Sequence, residues 1–185
     1  MTGRTVLLTG ATGFLGTLIA RRLLEEEAHV IALVRCRSRE EGELRLRKAW
    51  WDWPHLAGEV GNRIEVVPGD LCMSGAGLEP LDREAVCTRA DAIINAAADL
   101  GLDRDMDVLR RTNVQGVENL ISLAREIDEK RGLLRFSHVS TAYVCGRRSG
   151  EISEEDIGTD FASNYERSKA EGEAAVRSSG LPFTI

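Results

Sequence analysis

Cysteine is scarce in this sequence, and its spacing excludes two common kinds of structural site. The chain has four cysteines in 185 residues, namely Cys36, Cys72, Cys87 and Cys145. They form no Cys-x-x-Cys pair and have no histidine cluster beside them, so neither a zinc site nor a disulfide framework is indicated. We therefore expect no metal site and interpret the cysteines as reduced thiols of a cytosolic protein.

Long apolar runs and an excess of basic residues are also missing. No apolar stretch reaches the roughly 20 residues of a membrane-spanning helix, and no charged leader with an apolar core precedes the first strand. The formal net charge is -6, which does not favour a nucleic-acid partner, because such partners are usually bound by a concentrated basic surface. These absences predict a cytoplasmic protein without a membrane span and without a nucleic-acid partner.

The remaining composition is that of an ordinary globular protein. Apolar residues make up 43% of the chain and charged residues 29%, and the length suits one domain, predicted over residues 1–185. Short β-rich runs alternate with longer amphipathic patterns. This alternation predicts an α/β fold, a doubly wound parallel sheet with helices on both faces.

Apolar periodicity predicts six strands and four helices. The strands are predicted at 5–9, 29–34, 64–67, 92–95, 134–140 and 183–185. The helices are predicted at 13–27, 38–51, 105–130 and 162–179. In the first helix we expect an apolar stripe, which includes Phe14 and Leu15, to pack on the sheet.

A glycine-rich segment directly follows the first strand. Gly10, Gly13 and Gly16 are spaced as Gly-x-x-Gly-x-x-Gly, and an amphipathic helix comes next. Glycines at this junction let the backbone turn sharply and approach a diphosphate, whose charge is stabilised by free N–H groups at the helix start. The spacing differs by one residue from the Gly-x-Gly-x-x-Gly fingerprint, and a P-loop is excluded because no Gly-Lys-Ser/Thr follows. The segment predicts a dinucleotide site in a Rossmann fold, the alternative being a merely structural strand-to-helix turn.

The residue after the second strand indicates which dinucleotide is bound. An acidic side chain there would accept hydrogen bonds from the ribose of NAD, but this sequence has Arg35. A guanidinium holds a 2′-phosphate by forked, charge-assisted hydrogen bonds, so NADPH (NADP) is predicted and NAD is less favoured. Arg45 is a further candidate for the same phosphate, with a solvated helix face as the alternative.

Tyr165 and Lys169 are four residues apart, which places both on one face of the last predicted helix. A phenol has a pKa of about 10, and we expect a nearby ammonium and a bound nicotinamide cation to lower it so that the tyrosine can exchange protons near neutrality. Thr141 follows the fifth strand, at the sheet edge where open parallel sheets bind ligands. It is the candidate for orienting a substrate carbonyl, with Ser140 as its competitor and a capped strand end as the structural alternative.

Together these residues resemble the extended short-chain dehydrogenase/reductase superfamily. Within it they are most similar to the thioester reductase group, which includes reductase domains of carboxylic acid reductases and nonribosomal peptide synthetases, and fatty acyl-CoA reductases. The resemblance covers nearly all of the chain. It rests on residues 7–16, 33–35, 67–71, 95–98, 113–116 and 139–141, and on Tyr165 with Lys169.

The resemblance implies roles for further residues. Thr141, Tyr165 and Lys169 would form the catalytic set, and Asn113 would lie in its helix close to them. Asp70 and Leu71 would flank the adenine. The other residues expected to border the cofactor are the loop residues Thr12, Phe14 and Leu15 and the strand-end residues Ala96, Ala97 and Ala98.

Two departures from the family pattern concern the substrate. Members carry a smaller C-terminal substrate domain after the sixth strand, and we expect that this chain does not contain it. Residues 99–103 also differ from the aromatic or asparagine-containing loop of the family. The cofactor assignment does not depend on either segment.

The leading hypothesis is an NADPH-dependent oxidoreductase that transfers hydride to a carbonyl, in a small-molecule or carrier-bound thioester or acyl substrate. An alternative keeps the fold and changes the chemistry, as in sugar-nucleotide epimerases or dehydratases and hydroxysteroid-type or flavanone-type dehydrogenases. Arg35 separates the two, since epimerases that retain NAD prefer an acidic residue there. A second alternative is a non-catalytic nucleotide-binding domain. The oligomeric state stays open.

Overall fold

Six strands form the centre of the fold, as the computed structural model shows for residues 3–185. Residues 1 and 2 of the predicted domain lie outside this range. The strands are β1 (Thr5–Thr9), β2 (His29–Val34), β3 (Ile64–Pro68), β4 (Ala92–Asn95), β5 (Arg135–His138) and β6 (Phe183–Thr184). All neighbouring pairs are parallel, in the order β3-β2-β1-β4-β5-β6. This is the strand order of dinucleotide-binding Rossmann folds, so the predicted fold class is confirmed.

Helices connect the strands and cover the sheet. They are α1 (Phe14–Glu25), α2 (Arg39–Ala49), α3 (Pro54–Gly58), α4 (Pro80–Arg89), α5 (Met106–Arg110), α6 (Gly116–Arg131) and α7 (Asn164–Arg177). A π-helical turn at Arg111–Gln115 joins α5 to α6, and 3₁₀ turns occupy Ser74–Gly77 and Ala142–Cys145.

The two faces of the sheet have separate apolar cores, because successive side chains of a strand point to opposite faces. Leu8 and Ala32 belong to the core that contains α1, α2 and α3 residues. Leu7, Ile31 and Phe136 belong to the core that contains α4, α6 and α7 residues. Burial on both faces explains why the central strands are nearly continuous apolar runs.

The strand register places the candidate residues at one edge. Thr9 pairs with Leu33 on one side and with Asn95 on the other, and Asn95 pairs with His138. The chain therefore leaves β1, β2, β4 and β5 at the same level. The segments that follow these four strands meet at the carboxyl edge of the sheet, where ligands bind in open α/β folds.

Several predicted elements differ from the structure. Helices α3 and α4 were not predicted: in α4, Leu81 is 86% exposed and the buried positions are Val86 and Cys87, so no apolar period spans the helix. The helix predicted at 105–130 contains the π-helical turn. The strand predicted at 134–140 is shorter, and Leu134 is exposed.

The expected packing of Phe14 and Leu15 on the sheet is wrong. Their exposed fractions are 85% and 43%, because both lie in the first turn of α1, beside the ligand-binding edge and not over the sheet. The apolar stripe of α1 begins one turn later, with the buried Ala20 and the partly buried Ile19.

Candidate active site

The three glycines of the glycine-rich loop differ in how closely other backbone atoms approach them. Two have no room for a side chain, and the third has a single tight contact. Gly10 has a φ of +71°, and an added Cβ would lie 2.6 Å from the Ala96 backbone. At Gly16 an added Cβ would lie 2.1 Å from the Gly10 carbonyl oxygen. At Gly13 the only contact within 4 Å is that same oxygen, at 3.3 Å. This contact is tight, but no other atom beyond the neighbouring residues and the helix backbone lies within 4 Å of such a Cβ.

Helix α1 begins at this loop without a side-chain cap. Its N-cap residue is Gly13, which has no side chain to accept a hydrogen bond from the first turn. The first N–H groups of a helix lack partners within the helix and carry partial positive charge. The loop and the start of α1 therefore form a surface suited to a diphosphate.

A cleft of about 700 Å³ opens above the carboxyl edge of the sheet. This volume is within the range of about 300–1,000 Å³ that is typical of ligand and cofactor sites. Fifteen of the seventeen predicted site residues line it. They are Gly10, Thr12, Gly13, Phe14, Leu15, Gly16, Arg35, Arg45, Asp70, Leu71, Ala96, Ala97, Ala98, Tyr165 and Lys169. Asn113 and Thr141 are not among its lining residues.

Two guanidinium groups stand at the end of the cleft beside β2. Arg35 follows β2 directly, and the Arg45 guanidinium on α2 donates a hydrogen bond to the Arg35 backbone carbonyl. The Glu41 carboxylate lies 3.9 Å from Arg45, so this arginine is only loosely neutralised. Both arginines are exposed and positioned to bind an anion at this corner.

The segment after β3 borders the cleft next to these arginines. The Asp70 carboxylate accepts a hydrogen bond from the Cys72 N–H at 2.9 Å, and the Asp70 N–H donates to the Ala76 carbonyl at 2.8 Å. These bonds fix the turn that presents Asp70 and the buried Leu71 to the cleft.

Tyr165 and Lys169 are brought to the cleft by the start of α7. Ser163 caps this helix by accepting a hydrogen bond from the Glu166 N–H. The Lys169 side chain is 2% exposed, and its amino group donates to the Val139 carbonyl at 2.8 Å. Burial lowers the pKa of Lys169 to about 8, because a charged ammonium is poorly solvated there.

The protein's own groups raise the pKa of the Tyr165 hydroxyl. Burial is the main cause, and a hydrogen bond with the Thr141 side chain acts in the opposite direction. Lys169 does not offset the burial, since its amino group is bonded to the Val139 carbonyl. In this structure the phenol is therefore held in its protonated form at neutral pH. The lowered pKa is predicted for the site with a nicotinamide cation bound and stays a prediction.

Thr141 does not line the cleft itself but lies next to Tyr165, which does. It is the N-cap of the 3₁₀ turn after β5, and its hydroxyl accepts a hydrogen bond from the Tyr143 N–H at 3.3 Å. The same side chain lies close enough to Tyr165 to oppose the rise of its pKa, so Thr141 both caps the strand end and neighbours the phenol. Its competitor Ser140 does line the cleft, and the buried Ser140 hydroxyl has no hydrogen-bond partner among residues 3–185.

Asn113 lies behind the site, in the π-helical turn. Its side-chain oxygen accepts from the Asp99 N–H at 2.8 Å, and its amide nitrogen donates to the Asp99 carbonyl and to Ser168 Oγ, each at 2.9 Å. Ser168 in turn donates to the Tyr165 carbonyl at 2.8 Å. Asn113 thus connects the loop after β4 with the helix that carries Tyr165.

The loop after β4 contains cleft residues that sequence reasoning did not identify. Asp99, Leu100 and Arg104 line the cleft, and Arg104 forms an ion pair with Asp99 at 2.6 Å. Asn164, the first residue of α7, donates to the Arg104 carbonyl at 3.0 Å. The position of this loop, directly after a strand that ends at the binding edge, could have indicated these residues. They were missed because the sequence of the loop differs from the one expected for the family.

A buried polar chain runs between β1 and β5 beneath the cleft. Thr9 donates to Asn95 at 2.6 Å, and the Asn95 amide nitrogen lies 3.1 Å from His138 Nδ1. Burial lowers the pKa of His138 to about 3, with a further contribution from the charge of Lys169. His138 is therefore neutral at physiological pH and is not a proton donor of the site.

Comparison with known families matches this geometry to one of them. A family model of NAD-binding proteins, described as male sterility protein, matches residues 8–185. The chain belongs to this family. It is a Rossmann domain of the extended short-chain dehydrogenase/reductase type, with thioester reductase-like relatives, as the sequence resemblance indicated.

The relatives of this chain include larger proteins that are named as reductases. Glycine betaine reductase ATRR of Emericella nidulans is 32% identical over 98% of this chain, and fatty acyl-CoA reductase 2, chloroplastic, of Arabidopsis thaliana is 30% identical over 82%. The solved terminal R domain from the myxalamid PKS-NRPS biosynthetic pathway is 29% identical over the whole chain, with a TM-score of 0.86.

The chain spans only part of each of these proteins. It corresponds to 15% of the betaine reductase, 26% of the acyl-CoA reductase and 48% of the solved R domain. What the family member shares with them is the nucleotide-binding region. Within residues 3–185, no helix has the length and apolar character for crossing a membrane, and no cluster of potential metal ligands is found.

Proposed function

We propose that this chain binds NADPH and carries the catalytic residues of a reductase that acts on an acyl thioester. One observation carries the proposal: a protonated, buried Tyr165 with Thr141 and Lys169 beside it, at the cleft that the glycine loop opens. If the glycine loop were only a structural turn, it would not require Tyr165 and Lys169 to line the same cleft. Substrate hydroxyls or carbonyls entering the cleft would meet the phenol directly.

The residues present fit a nicotinamide dinucleotide. The absence of a side chain at Gly13 and the uncapped start of α1 suit the diphosphate, and Asp70 with Leu71 borders the adenine end. Arg35 and Arg45 support NADPH over NADH, because two guanidinium groups at one corner can hold a 2′-phosphate. An acidic residue in that place would have favoured NADH.

In the proposed reaction, the cofactor and the protein side chains have different roles. Bound NADPH supplies the hydride for the carbonyl carbon. Tyr165 donates its proton to the carbonyl oxygen as negative charge develops there. The Thr141 hydroxyl, held next to Tyr165, donates a hydrogen bond to the same oxygen. The Lys169 amino group, one helical turn from Tyr165, would hold the nicotinamide ribose.

The thioester class is supported by the relatives. Their names describe a fatty acyl-CoA reductase and a terminal R domain of a PKS-NRPS pathway, which points to acyl groups held as thioesters on coenzyme A or on a carrier. Reduction would release the thiol and give an aldehyde, or an alcohol after a second hydride transfer.

The direct test is NADPH oxidation by the whole polypeptide that contains this sequence. A panel of acyl-CoA and carrier-bound acyl substrates is assayed at 340 nm, beside Tyr165→Phe and the exposed neighbour Tyr143→Phe as matched control. We expect Tyr165→Phe to lower kcat by about 10²- to 10⁴-fold, with unchanged NADPH affinity, and Tyr143→Phe to stay within about twofold of the wild type.

Two results would contradict the proposal. Turnover of every panel member no faster than that of Tyr165→Phe would leave a nucleotide-binding domain without reductase activity. Tightly bound NAD in the purified protein would instead support a sugar-nucleotide epimerase or dehydratase.

A further inference from the structure

The buried Trp50 is hydrogen-bonded to the glycine-rich loop. This tryptophan follows α2 and has an exposed fraction of 0%. Its indole N–H is shared between the Ala11 carbonyl at 3.1 Å and Thr17 Oγ1 at 3.0 Å. The Thr17 hydroxyl then donates to the Gly13 carbonyl at 2.8 Å. The Gly13 carbonyl also accepts from the Thr17 backbone N–H at 2.9 Å. The indole therefore bonds the Ala11 carbonyl directly and supports one of the two bonds to the Gly13 carbonyl.

Holding these carbonyls also orients the N–H groups that follow them. In a planar trans peptide the C=O and the next N–H point in opposite directions. With the Ala11 carbonyl turned to Trp50, the Thr12 N–H points away from the indole. With the Gly13 carbonyl turned to Thr17, the Phe14 N–H points away from the helix interior. Thr12 and Phe14 are exposed and line the cleft.

Trp50 also fills a large space in the core that contains α1, α2 and α3 residues. Its neighbours Trp51 and Trp53 are 75% and 36% exposed, and the Trp53 ring lies 4.7 Å from the Arg21 guanidinium at the surface. A smaller apolar residue would leave part of this space empty, and it could not donate to the loop. The indole N–H is the feature that distinguishes Trp50.

We propose that Trp50 is a positioning residue for the cofactor diphosphate. Through Ala11 and Thr17 it keeps the loop in the conformation whose N–H groups face the cleft. The same helix carries Arg45, so α2 would serve both the 2′-phosphate and the diphosphate. This inference rests on the nicotinamide cofactor of the proposed function and adds a residue outside the glycine motif.

The test compares two ligands that share one end. NADPH needs both the arginine corner and the loop, whereas adenosine 2′-monophosphate has no diphosphate and needs the arginine corner alone. Dissociation constants of both are measured by titration calorimetry for the wild type, Trp50→Phe and the matched control Trp51→Phe. For Trp50→Phe we expect the Kd of NADPH to rise about five- to twentyfold, the effect of an unpaired buried carbonyl. The Kd of adenosine 2′-monophosphate should change less than twofold, and Trp51→Phe should change neither.

A second pair of variants decides the matter if Trp50→Phe does not fold. Thr17→Val keeps the side-chain shape and removes the hydroxyl, whereas Thr17→Ser keeps the hydroxyl. We expect Thr17→Val to weaken NADPH binding about five- to tenfold and Thr17→Ser to restore it to within about twofold.

Equal weakening of both ligands would assign Trp50 to general support of the fold and overturn the proposal, as would an unchanged Kd for NADPH. The cofactor preference is tested separately by the wild type. If the wild type binds NADH and not NADPH, the preference for NADPH fails. The loop inference is then decided by the same variants with NADH and adenosine 5′-monophosphate.

Discussion

Lys169 is a charged residue in surroundings that favour its neutral form. Its pKa is lowered to about 8 by burial, whereas an unfolded chain would hold this group near 10.4. Between these two values the unfolded state binds more protons than the folded state. Stability contributed by this group therefore rises with pH from about 8 to about 10.4. Below pH 8 both states are protonated, and the folded state bears the full cost of the buried charge.

Replacing Lys169 with methionine should remove this pH dependence. Methionine has a similar length and no charge, so Lys169→Met avoids the cost of the buried charge below pH 8, on the order of 3 kcal/mol. The loss of the hydrogen bond to the Val139 carbonyl subtracts about 1 to 3 kcal/mol from this advantage. The advantage should shrink as the pH approaches 10.4. Urea unfolding of both proteins between pH 7 and 10 measures the difference. A constant difference across this range would show that the lysine titrates normally in the folded state.

Individual residues of the site were predictable to different degrees. Arg35, Tyr165 and Lys169 could be placed because their chemistry follows from a strand end or from helical spacing. The bond from Lys169 to Val139 could not be placed, since it joins positions 30 residues apart.

At the scale of elements, the strands β1, β2 and β4 coincide with their predicted ranges. Burial on both faces makes such strands short apolar runs, which are easily recognised. Helix α4 escaped prediction because few of its side chains are buried, although Pro80 at its first turn is a typical helix start. The π-helical turn has no local signal in the sequence.

The glycine loop allows a prediction that separates folding from binding. Gly10→Ala and Gly16→Ala should each destabilise the fold by about 2 kcal/mol or more, because the added Cβ strains or meets backbone atoms. Gly13→Ala, whose added Cβ would lie 3.3 Å from the Gly10 carbonyl oxygen, should stay folded with a smaller loss of stability than the other two variants, and bind NADPH at least about tenfold more weakly. Thermal melting and calorimetric titration of the three variants distinguish these cases. Normal NADPH binding by Gly13→Ala would place the diphosphate away from this loop.

The π-helical turn holds the loop after β4 through Asn113. Asn113→Leu leaves the Asp99 N–H and carbonyl without their partner, and we expect a loss of about 2 to 3 kcal/mol. Asn113→Asp retains an acceptor for the Asp99 N–H and should lose less. Hydrogen exchange of the Asp99 amide reports the contact directly, since exchange should be fastest in Asn113→Leu. Unchanged exchange in Asn113→Leu would mean that the loop is held by its other contacts, such as Asn164 with Arg104.

At the scale of the whole molecule, the general rule for open parallel sheets predicted the correct edge. Residues distant in sequence converge there because four strands end at one level. The rule gives the edge but not the contents of each loop, and the cleft residues at 99–104 were missed for that reason. Their conformation depends on Asn113 and Asn164, which belong to other elements.

Cofactor preference should appear in the stability of the entire domain, because a ligand that binds only the folded state stabilises it. At a concentration of 100 times its Kd the gain is about 2.7 kcal/mol, which corresponds to a rise in melting temperature of roughly 5 to 10 °C for a domain of this size. We expect this rise with NADPH and a much smaller one with NADH at equal concentration.

Arg35→Asp should reverse the order of the two shifts, since a carboxylate repels the 2′-phosphate and accepts hydrogen bonds from a free ribose. Lys48→Ala, an exposed position on the same helix as Arg45, is the control and should leave both shifts unchanged. Equal rises in melting temperature with NADPH and NADH in the wild type would show that Arg35 and Arg45 do not bind the 2′-phosphate.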